Sequence, residues 1–582
     1  MTQDKSIEKI RHSLAHLLAM AVLKRIPQAR LAIGPAIANG FYYDFDLPQG
    51  KKIAETDLET IEATMKKLIE RNIEFKKFNL TKPEALKKVS GPYKKELIGD
   101  LPKKSKITFY QSGDFTDLCA GPHVASAKEI SPDAFKLIKV AGAYWRGSEK
   151  NKMLTRIYGV AFATKQELAG HLAMLAEAEK RDHRKLGKEL GLYIIDPLVG
   201  SGLPLFLPKG TIIRNELMNF LQEEQIKRDY QYVTTPHIGN LKLYQTSGHY
   251  PYYQDSQYPP FKIDDDQYLL KPMNCPHHIA IYQSAQHSYK ELPIRLAECG
   301  MVYRYEKSGE LTGLIRVRGF TIDDAHIFAA EDQIAQEFLG VIDLVLKIFK
   351  ILNFKEYRVR VGSRDPKSKK YVGDKKIWDK AEKIITTALK GKFDYSIEPG
   401  DAAFYGPKMD FIVKDVLGRE WQLGTVQLDF NLPKRFNLTY IDDHGKGKQP
   451  VIIHRAPFGS LERFIGILIE HFAGSFPLWI SPVQIKIISV GSGHTKYCQD
   501  LAEKFKAAKF RVETDLVNET VGNKIRKASQ EKVPYILVIG DKELNSDKLM
   551  VRVRGQEKLL AITLDEFIAR LKKMTDEKSL FL

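Results

Sequence analysis

Apolar and polar positions alternate along the N-terminal part of the chain in patterns that predict both helices and strands. Residues 12–18 repeat apolar positions with a helical period, whereas residues 41–45 form a short aromatic run typical of a strand. Residues 166–187 are rich in Ala, Leu, Glu, Lys and Arg, a composition that predicts a charged connecting helix. We therefore expect an α+β region followed by a helical linker.

The C-terminal part has a different pattern. A proline-rich turn at residues 476–482 marks a predicted boundary. Beyond it, three strand-like runs are separated by helical patterns, at residues 485–490, 511–516 and 535–539. This alternation is typical of βαβ units and predicts a largely parallel sheet. The predicted domains are residues 1–165, a linker helix at 166–188, a central domain at 189–478 and a C-terminal domain at 479–582.

Length and charge change this picture. A chain of 582 residues is expected to form several domains. It carries 90 Lys+Arg against 72 Asp+Glu, a formal net charge of +18. Such an excess favours a polyanionic partner, although a generally lysine-rich proteome would produce it as well.

Cysteine usage and the N-terminus indicate the compartment. The four cysteines stand at positions 119, 275, 299 and 498, without the spacing of a disulfide framework, and this suits a reducing environment. The first ten residues contain acidic side chains and no apolar core, unlike a signal or transit peptide. No apolar run reaches the roughly 18 residues that span a bilayer. We expect a soluble, cytoplasmic protein with no membrane partner.

Three possible metal donors lie in segments that also carry charged or polar chemistry. Cys275 follows Lys-Pro-Met-Asn, His326 follows Asp-Asp-Ala, and His454 begins the run His-Arg-Ala-Pro-Phe-Gly-Ser. Each alone would be read as a buried hydrophobe or a hydrogen-bonded core histidine. One thiolate and two imidazoles can hold zinc with its fourth position open, as catalytic zinc is bound. The three together favour that interpretation.

Arginines cluster in two further segments. Residues 304–306 and 316–320 flank a polar stretch and predict a strand, a turn and a second strand that present arginines to one site. A third arginine, Arg463, lies on the first turns of an apolar helical run. The planar guanidinium suits phosphate oxygens, although a lone residue such as Arg318 is more simply a solvated charge. The sequence contains no Walker loop.

With Pro236, which follows Tyr-Val-Thr-Thr, these segments resemble the signature motifs of the class II aminoacyl-tRNA synthetases. Over essentially its whole length the chain resembles the bacterial threonyl enzymes of that class. The resemblance implies an α/β and α+β multidomain protein. Its expected parts are an antiparallel catalytic sheet with flanking helices, an N-terminal α+β editing domain and a C-terminal α/β anticodon-binding domain. It also implies a homodimer built through the first motif.

The resemblance assigns roles to the arginine segments. It places Arg304 on the α-phosphate of ATP, Glu306 on the adenine amino group and Arg463 on the γ-phosphate, with Arg316 assisting on the pyrophosphate. Mg²⁺ would accompany ATP and bridge its phosphates. The implied reaction activates L-threonine as a threonyl-adenylate and passes it to the tRNA for threonine.

The resemblance also assigns the amino-acid pocket. It implies one zinc per chain on Cys275, His326 and His454, where threonine can ligate and valine cannot. Ile322 departs from the family pattern, which usually has Gln at this position, so a polar contact is expected to be lost or supplied elsewhere. The other implied substrate-binding residues are Asp324, Tyr405, Gln427, Lys408 and Gln422.

Serine has the hydroxyl and lacks only a methyl, a difference worth about 1–3 kcal/mol, so a second site is required. The spacings H-x3-H and C-x3-H in the first 165 residues predict, taken alone, a tetrahedral zinc site. The family resemblance instead implies metal-free hydrolysis by positioned water. The alternative is that the histidines are helix-core residues. The expected editing residues are His12, His16, Lys94, Asp117, Cys119 and His123.

The C-terminal domain resembles the anticodon-binding domain of class II synthetases. Asn518, Glu543 and Arg552 match family positions that contact anticodon bases, although each alone could be a solvated surface residue. The small β-grasp domain that commonly precedes the editing domain is expected to be absent. This expectation puts in question how firmly the tRNA is held during editing.

Two interpretations from other classes compete with the synthetase. A non-catalytic RNA-binding paralogue would fit the charge and the C-terminal pattern, but it would have no reason to keep Arg304, Glu306, Arg463 and three zinc donors. A free-standing metallohydrolase would fit only the first 165 residues. Neither accounts for the middle of the chain.

Overall fold

The computed structural model describes residues 2–102, 105–368, 370–415 and 418–582, with side chains described from residue 6. The chain divides into two compact units, Met1–Ala176 and Glu177–Leu582. Among the described residues, no helix combines the length and apolar character needed to cross a bilayer. All four cysteines lie in the described part, and none forms a disulfide.

The first unit is an α+β domain. Its helices are α1 (Thr2–Arg25), α2 (Leu58–Glu70), α3 (Lys82–Lys88), α4 (Pro92–Asp100) and α5 (Lys165–Arg181), which crosses the unit boundary. Its strands are β1 (Arg30–Leu31), β2 (Ala36–Ile37), β3 (Gly40–Asp46), β4 (Phe75–Leu80), β5 (Ile107–Ser112), β6 (Phe115–Leu118), β7 (Phe135–Tyr144) and β8 (Met153–Ala161).

Two antiparallel sheets build this unit. One has the order β1-β3-β8-β7 with β2 also paired to β3, and the other has the order β4-β5-β6. Helix α1 buries Leu14, Leu17 and Leu18 in a core that also holds Phe41 and Phe45 of β3. The helix predicted at residues 12–18 and the strand predicted at 41–45 are thus confirmed, and burial of one helix stripe against the sheet explains both patterns.

The second unit begins with the elements of a large α/β region. Its helices are α6 (His183–Glu189), α7 (Pro208–Ile226), α8 (Leu241–Ser247), α9 (His249–Tyr252), α10 (Cys275–Gln283), α11 (Ile334–Ile351), α12 (Lys375–Leu389), α13 (Asn431–Arg435) and α14 (Leu461–His471). Its strands are β9 (Tyr193–Ile194), β10 (Leu205–Phe206), β11 (Gln231–Tyr232), β12 (Ile238–Asn240), β13 (Phe261–Ile263), β14 (Asp266–Leu270), β15 (His287–Ser288), β16 (Ile294–Tyr303), β17 (Gly319–Ala329), β18 (Tyr357–Ser363), β19 (Tyr395–Pro399), β20 (Lys408–Lys414), β21 (Glu420–Asp429), β22 (Tyr440–Ile441), β23 (Gly447–Lys448) and β24 (Val451–Ala456).

An eight-stranded sheet with the order β11-β16-β17-β24-β21-β20-β18-β19 forms the centre of this region. All of its pairs are antiparallel except β11 with β16 and β18 with β19. Helix α11 covers the sheet with a stripe that includes Phe338, Val341 and Val345, buried together with Val426 and Leu428 of β21. Each fully buried side chain of this size contributes about 1.5–3 kcal/mol. The expected antiparallel sheet with flanking helices is confirmed.

The C-terminal part carries strands β25 (Ile485–Ser489), β26 (Val512–Asp515), β27 (Tyr535–Ile539), β28 (Lys548–Val553) and β29 (Leu560–Thr563) and helices α15 (Thr495–Ala507), α16 (Val521–Gln530), α17 (Asp541–Leu544) and α18 (Leu564–Asp576). The sheet has the order β26-β25-β27-β28-β29. The three predicted strands pair in parallel, as expected. Two antiparallel strands, β28 and β29, extend the sheet, so it is mixed rather than largely parallel.

The predicted connecting helix is broken. α5 ends at Arg181, and Asp182 caps α6 by accepting a hydrogen bond from the Arg184 N–H. The next residue, His183, is buried, with Nδ1 2.7 Å from Glu470 Oε1 at the end of α14 and Nε2 accepting from the Leu314 N–H at 3.1 Å. Asp182, His183 and Glu470 could each offer a metal donor, but these hydrogen bonds already explain the group as a structural anchor.

Candidate functional site

Three donors converge at the centre of the large sheet. Cys275 is the first residue of α10, His326 lies on β17 and His454 on β24. All three are buried, and one donor atom of each lies within 4.8 Å of the others. His326 and His454 are direct partners across the two strands, so the sheet register fixes their neighbourhood.

Each donor is held by a further polar group. His326 Nδ1 lies 2.9 Å from His278 Nδ1, and His454 donates through Nε2 to Asp429 Oδ2 at 3.0 Å. Cys275 Sγ lies 3.7 Å from His249 Nε2. Metal-binding histidines usually engage their second nitrogen in this way.

The donor set fits a zinc ion. One sulfur and two imidazole nitrogens make up the protein ligands of a catalytic zinc site with an open position. Burial raises the pKa of the Cys275 thiol well above its usual range, with Asp324 and Asp429 adding to the effect. A bound cation would supply the counter-charge that a buried thiolate needs there.

A row of polar side chains continues across the sheet from the donors. The register places His454 opposite Gln427 on β21, and Gln427 opposite Lys408 on β20. Directly opposite residues of neighbouring strands share one face. His326, His454, Gln427 and Lys408 therefore form one line across four strands.

The other residues expected in the pocket lie around this row. The Tyr405 ring centroid is 5.3 Å from that of His454, and Asp324 accepts from the Asn274 side-chain amide at 3.2 Å. Lys408 Nζ is held by Asp410 at 2.6 Å, and Gln422 donates to the other oxygen of that carboxylate at 2.8 Å.

Ile322 has an apolar side chain where the family usually has Gln. It packs against Val302, Val317 and Phe320 and lines a cavity that is also lined by Arg304, Arg316 and Arg463. Its side chain offers the cavity no hydrogen-bonding group.

Two of the predicted phosphate-binding arginines lie on the loop between strands β16 and β17. Strand β16 ends at Tyr303 and β17 begins at Gly319, so Arg304, Glu306 and Arg316 belong to the connecting loop. The predicted strand, turn and strand exist, but residues 304–306 lie beyond the first strand, and of residues 316–320 only Gly319 and Phe320 belong to the second strand. One more backbone hydrogen bond, from the Arg304 N–H to the Arg318 carbonyl at 2.9 Å, ends the ladder, and within the loop the Arg316 side chain pairs with Glu306 at 2.8 Å.

Two of these arginines lack acidic partners. In the described part of the chain, neither Arg304 nor Arg463 forms an ion pair with a carboxylate. Arg304 contacts Met273 Sδ at 3.6 Å, and Arg463 Nε donates to the Ile315 carbonyl at 3.0 Å. Burial lowers the pKa of Arg463, and the charges of Arg304 and Arg316 lower it further. Arg304 and Arg463 thus present two guanidinium groups without ion-pair partners to one cavity, an arrangement that suits an anion.

Two cavities meet at these side chains. One of about 340 Å³ is lined by Arg304, Glu306, Arg316 and Arg463. The other, of about 470 Å³, shares the first three and extends to Met273. Cavities of these volumes can hold a ligand as large as a nucleotide.

The first unit contains a second cluster. His12 and His16 lie on α1, and Cys119 and His123 follow β6. Cys119 Sγ is 3.1 Å from both His12 Nε2 and His123 Nε2, and the ring centroids of His16 and His123 are 4.3 Å apart. Burial lowers the pKa of His123 to about 2 and raises that of Cys119 to about 11, so both side chains are neutral near pH 7.

A charged pair lies next to this cluster. Lys94 Nζ is 2.8 Å from Asp117 Oδ1, and Tyr43 donates its hydroxyl to Asp117 Oδ2 at 2.5 Å. Asp117 Oδ2 is also 3.9 Å from His16 Nε2. Lys94 and Asp117 line a cavity of about 450 Å³. The structure thus brings together all six residues expected to edit.

The three residues expected to read the anticodon are spread over the C-terminal sheet. Asn518 follows β26, Glu543 lies on α17 and Arg552 lies on β28. Within the described residues, no hydrogen bond or ion pair joins them. Asn518 and Arg552 are exposed, and Glu543 accepts from the Gly540 N–H at 3.0 Å.

Sequence reasoning missed several residues of both clusters. His278, Asp429, Tyr43 and Ser13 each contact an expected site residue. Only His278 had a local signal, because it stands three residues after Cys275 at the start of a helical pattern. The other contacts depend on tertiary pairing.

Comparisons with protein families cover both units. Residues 260–472 match the tRNA synthetase class II core domain (G, H, P, S and T). Residues 484–574 match an anticodon binding domain, and residues 107–158 match the threonyl and alanyl tRNA synthetase second additional domain.

Individual relatives agree with these matches. The threonine-tRNA ligase of Thermus thermophilus is 54% identical over 576 residues, covering 96% of this chain and 87% of the relative. That of Synechococcus elongatus is 48% identical, covering 99% of this chain and 97% of the relative. A crystal structure of the RNA binding domain of threonyl-tRNA synthetase from Cryptosporidium parvum superposes with a TM-score of 0.65 at 38% identity, covering 68% of this chain and 98% of that one.

Proposed function

The chain belongs to the threonine-tRNA ligase family of class II aminoacyl-tRNA synthetases, and from this membership we propose that it makes threonyl-tRNA through a threonyl-adenylate and hydrolyses seryl-tRNA. The observation that carries the proposal is the convergence of Cys275, His326 and His454 beside the cavity that Arg304 and Arg463 line.

In the activation step, the threonine carboxylate attacks the α-phosphorus of ATP and pyrophosphate leaves. Arg304 neutralises the α-phosphate, Arg463 the γ-phosphate and Arg316 the departing pyrophosphate, with Mg²⁺ bound to ATP. Glu306 accepts from the adenine amino group. The protein contributes position and charge rather than covalent chemistry, and Arg304 and Arg463, which form no ion pair within the described residues, are suited to this role.

Selection of threonine depends on the three donors and the row beside them. Cys275, His326 and His454 would hold one zinc, and when bound the ion would accept both the amino and the hydroxyl group of threonine as ligands. Gln427, Tyr405 and Asp324 surround the amino acid, with Lys408 and Gln422 at the edge of the pocket. A site that requires a hydroxyl rejects valine by about 10⁴-fold or more.

Serine also carries a hydroxyl and is therefore accepted by this site. The seryl-tRNA that results is hydrolysed in the first unit. Asp117, held by Lys94 and Tyr43, and the neutral cluster of His12, His16, Cys119 and His123 position a water molecule against the ester of seryl-tRNA. The cavity beside Lys94 admits the RNA end. No metal is assigned to this site.

The partners follow from the same proposal. The C-terminal sheet contacts the anticodon of the tRNA for threonine through Asn518, Glu543 and Arg552. Two chains form a homodimer through the first motif near Pro236. Exposed apolar side chains near β9 and β10, among them Ile194, Leu198 and Leu205, offer additional surface for a second copy. Unpaired cysteines are consistent with the reducing cytoplasm.

Exchange of labelled pyrophosphate into ATP tests the activation step. Threonine should support exchange, serine should support it more weakly, and valine should support almost none. An Arg463→Ala variant should lose exchange with threonine. Exchange that proceeds equally with valine would contradict the proposed selection.

A further inference from the structure

A buried line of hydrogen bonds leads away from His326. Its Nδ1 lies 2.9 Å from Nδ1 of His278, and His278 Nε2 lies 3.3 Å from Oε2 of Glu298. All three side chains are buried. The arrangement connects a proposed metal donor to a carboxylate through an intervening imidazole.

Glu298 is held as a carboxylate at the far end of this line. Thr235 donates to it through its backbone N–H at 2.7 Å and its hydroxyl at 2.9 Å, and Lys271 Nζ lies 3.7 Å away. Burial alone would raise the pKa of Glu298, but the hydrogen bonds from His278 and Thr235, together with Lys271, lower it to about 2.

The Glu298 carboxylate determines which ring nitrogens of His278 and His326 carry protons. An ionised carboxylate can only accept hydrogen bonds, so His278 must donate through Nε2. In a neutral imidazole the other nitrogen is then an acceptor, so His278 Nδ1 accepts from Nδ1–H of His326. His326 is left with its lone pair on Nε2.

We propose that His278, anchored by Glu298, is a positioning residue that fixes His326 in the tautomer whose Nε2 can bind the metal. The inference rests on the proposed zinc site and adds a residue that touches neither the metal nor the substrate. The two histidine donors then differ, because Asp429 orients His454 directly whereas Glu298 orients His326 through a second ring.

Zinc affinity of the full-length chain tests this role. Zinc-loaded protein is dialysed against a graded series of chelator, and bound zinc is measured by atomic absorption. His278→Ala should weaken zinc binding by about 10- to 100-fold, the usual cost of losing such a partner. His278→Asn should recover much of that loss, because its amide oxygen can accept from His326 where Nδ1 did.

The adjacent His277 supplies a matched control. It is buried on the same helix α10, and in the described structure no hydrogen bond joins it to a proposed zinc donor. His277→Ala should bind zinc as the parent does. Circular dichroism confirms that each variant is folded, and NMR of labelled histidine should show a proton on His326 Nδ1 in the parent.

Two results would overturn the inference: parental zinc affinity in His278→Ala, or an equal loss in His277→Ala, which would indicate a packing effect. Failure of the underlying zinc site has a different signature. In that case Cys275→Ser would hold as much zinc as the parent.

Discussion

His326 and His454 face each other across antiparallel strands β17 and β24, with their ring centroids 4.7 Å apart. Two of the three proposed zinc donors are therefore placed by backbone hydrogen bonding rather than by a flexible loop. Cys275 enters from the first turn of α10 and completes the set. Sites built on strands and helices hold their geometry closely, which selection by a single hydroxyl demands.

The zinc assignment predicts one zinc per chain. Cys275→Ser should lose the metal and abolish threonine activation, because it removes one of three donors, while ATP binding through Arg304 and Arg463 persists. Metal analysis, pyrophosphate exchange and ATP titration measure these effects. Cys299→Ser is the matched control and should retain zinc. Full activity after exhaustive zinc removal would rule out the assignment.

Loss of the first-unit histidines should separate synthesis from editing. The variant with both His12→Ala and His16→Ala should activate threonine almost as well as the parent, since these residues lie outside the catalytic region. Seryl-tRNA should accumulate when serine is offered, as measured with labelled serine. If the variant cleared seryl-tRNA as fast as the parent, the histidines would revert to a helix-core role.

Tyr43→Phe should slow the hydrolysis of seryl-tRNA by about 10- to 100-fold. The change removes the hydroxyl that donates to Asp117, and a hydrogen bond to a charged group is worth about 1.5–3 kcal/mol. Single-turnover hydrolysis of seryl-tRNA provides the measurement. Tyr42→Phe, the neighbouring tyrosine on β3, should leave the rate unchanged. Equal rates in both variants and the parent would show that the Tyr43 hydroxyl does not contribute to the hydrolysis of seryl-tRNA.

The buried histidines predict an acid-sensitive first unit. Burial, then the charges of His16 and His12, lower the pKa of His123 to about 2, against about 6.5 when unfolded. The unfolded state therefore binds more protons below pH 6.5, and stability present above that pH is lost as the pH falls. One such group costs up to about 1.4 kcal/mol per pH unit.

Hydrogen exchange of the α1 amides, corrected for the intrinsic effect of pH, measures this loss between pH 7 and pH 5. His123→Gln should show a shallower decline because it removes one titrating group. A decline of the same steepness in the variant would contradict the assignment.

Sedimentation should report a homodimer near twice 66.3 kDa. Leu198→Asp should weaken the dimer, because this side chain is 98% exposed in one chain beside other apolar residues. Phe581→Asp, at an exposed apolar side chain near the C-terminus, should not change the mass. A stable and fully active monomer would exclude the proposed interface.

The sequence indicated which donors and arginines lie together in the structure because they stand in short, distinctive segments. The helix holding His12 and His16 and the helix that begins beside Arg463 also follow from local periodicity. The family membership and the antiparallel catalytic sheet were predicted and are confirmed. The roles of individual site residues and the domain boundaries remain predictions.

Other features depend on contacts between distant residues. Nothing near Asp429 indicates that it would orient His454, and Tyr43 meets Asp117 only because two sheets pack together. The strand limits around Arg304 were wrong because the two strands separate after the Arg304–Arg318 backbone hydrogen bond, and local sequence does not show where strands separate. The connecting helix was predicted unbroken because its composition is uniform, whereas Asp182 caps a new helix there.

The anchor at His183 matters to anyone who divides this protein for separate expression. Its imidazole holds Glu470, at the end of the helix that carries Arg463, and the N–H of Leu314, two residues before Arg316. A fragment that starts after α6 would leave both groups without that partner and should fold with a loosened nucleotide pocket. A cut before Asp182 would keep the anchor within the catalytic fragment.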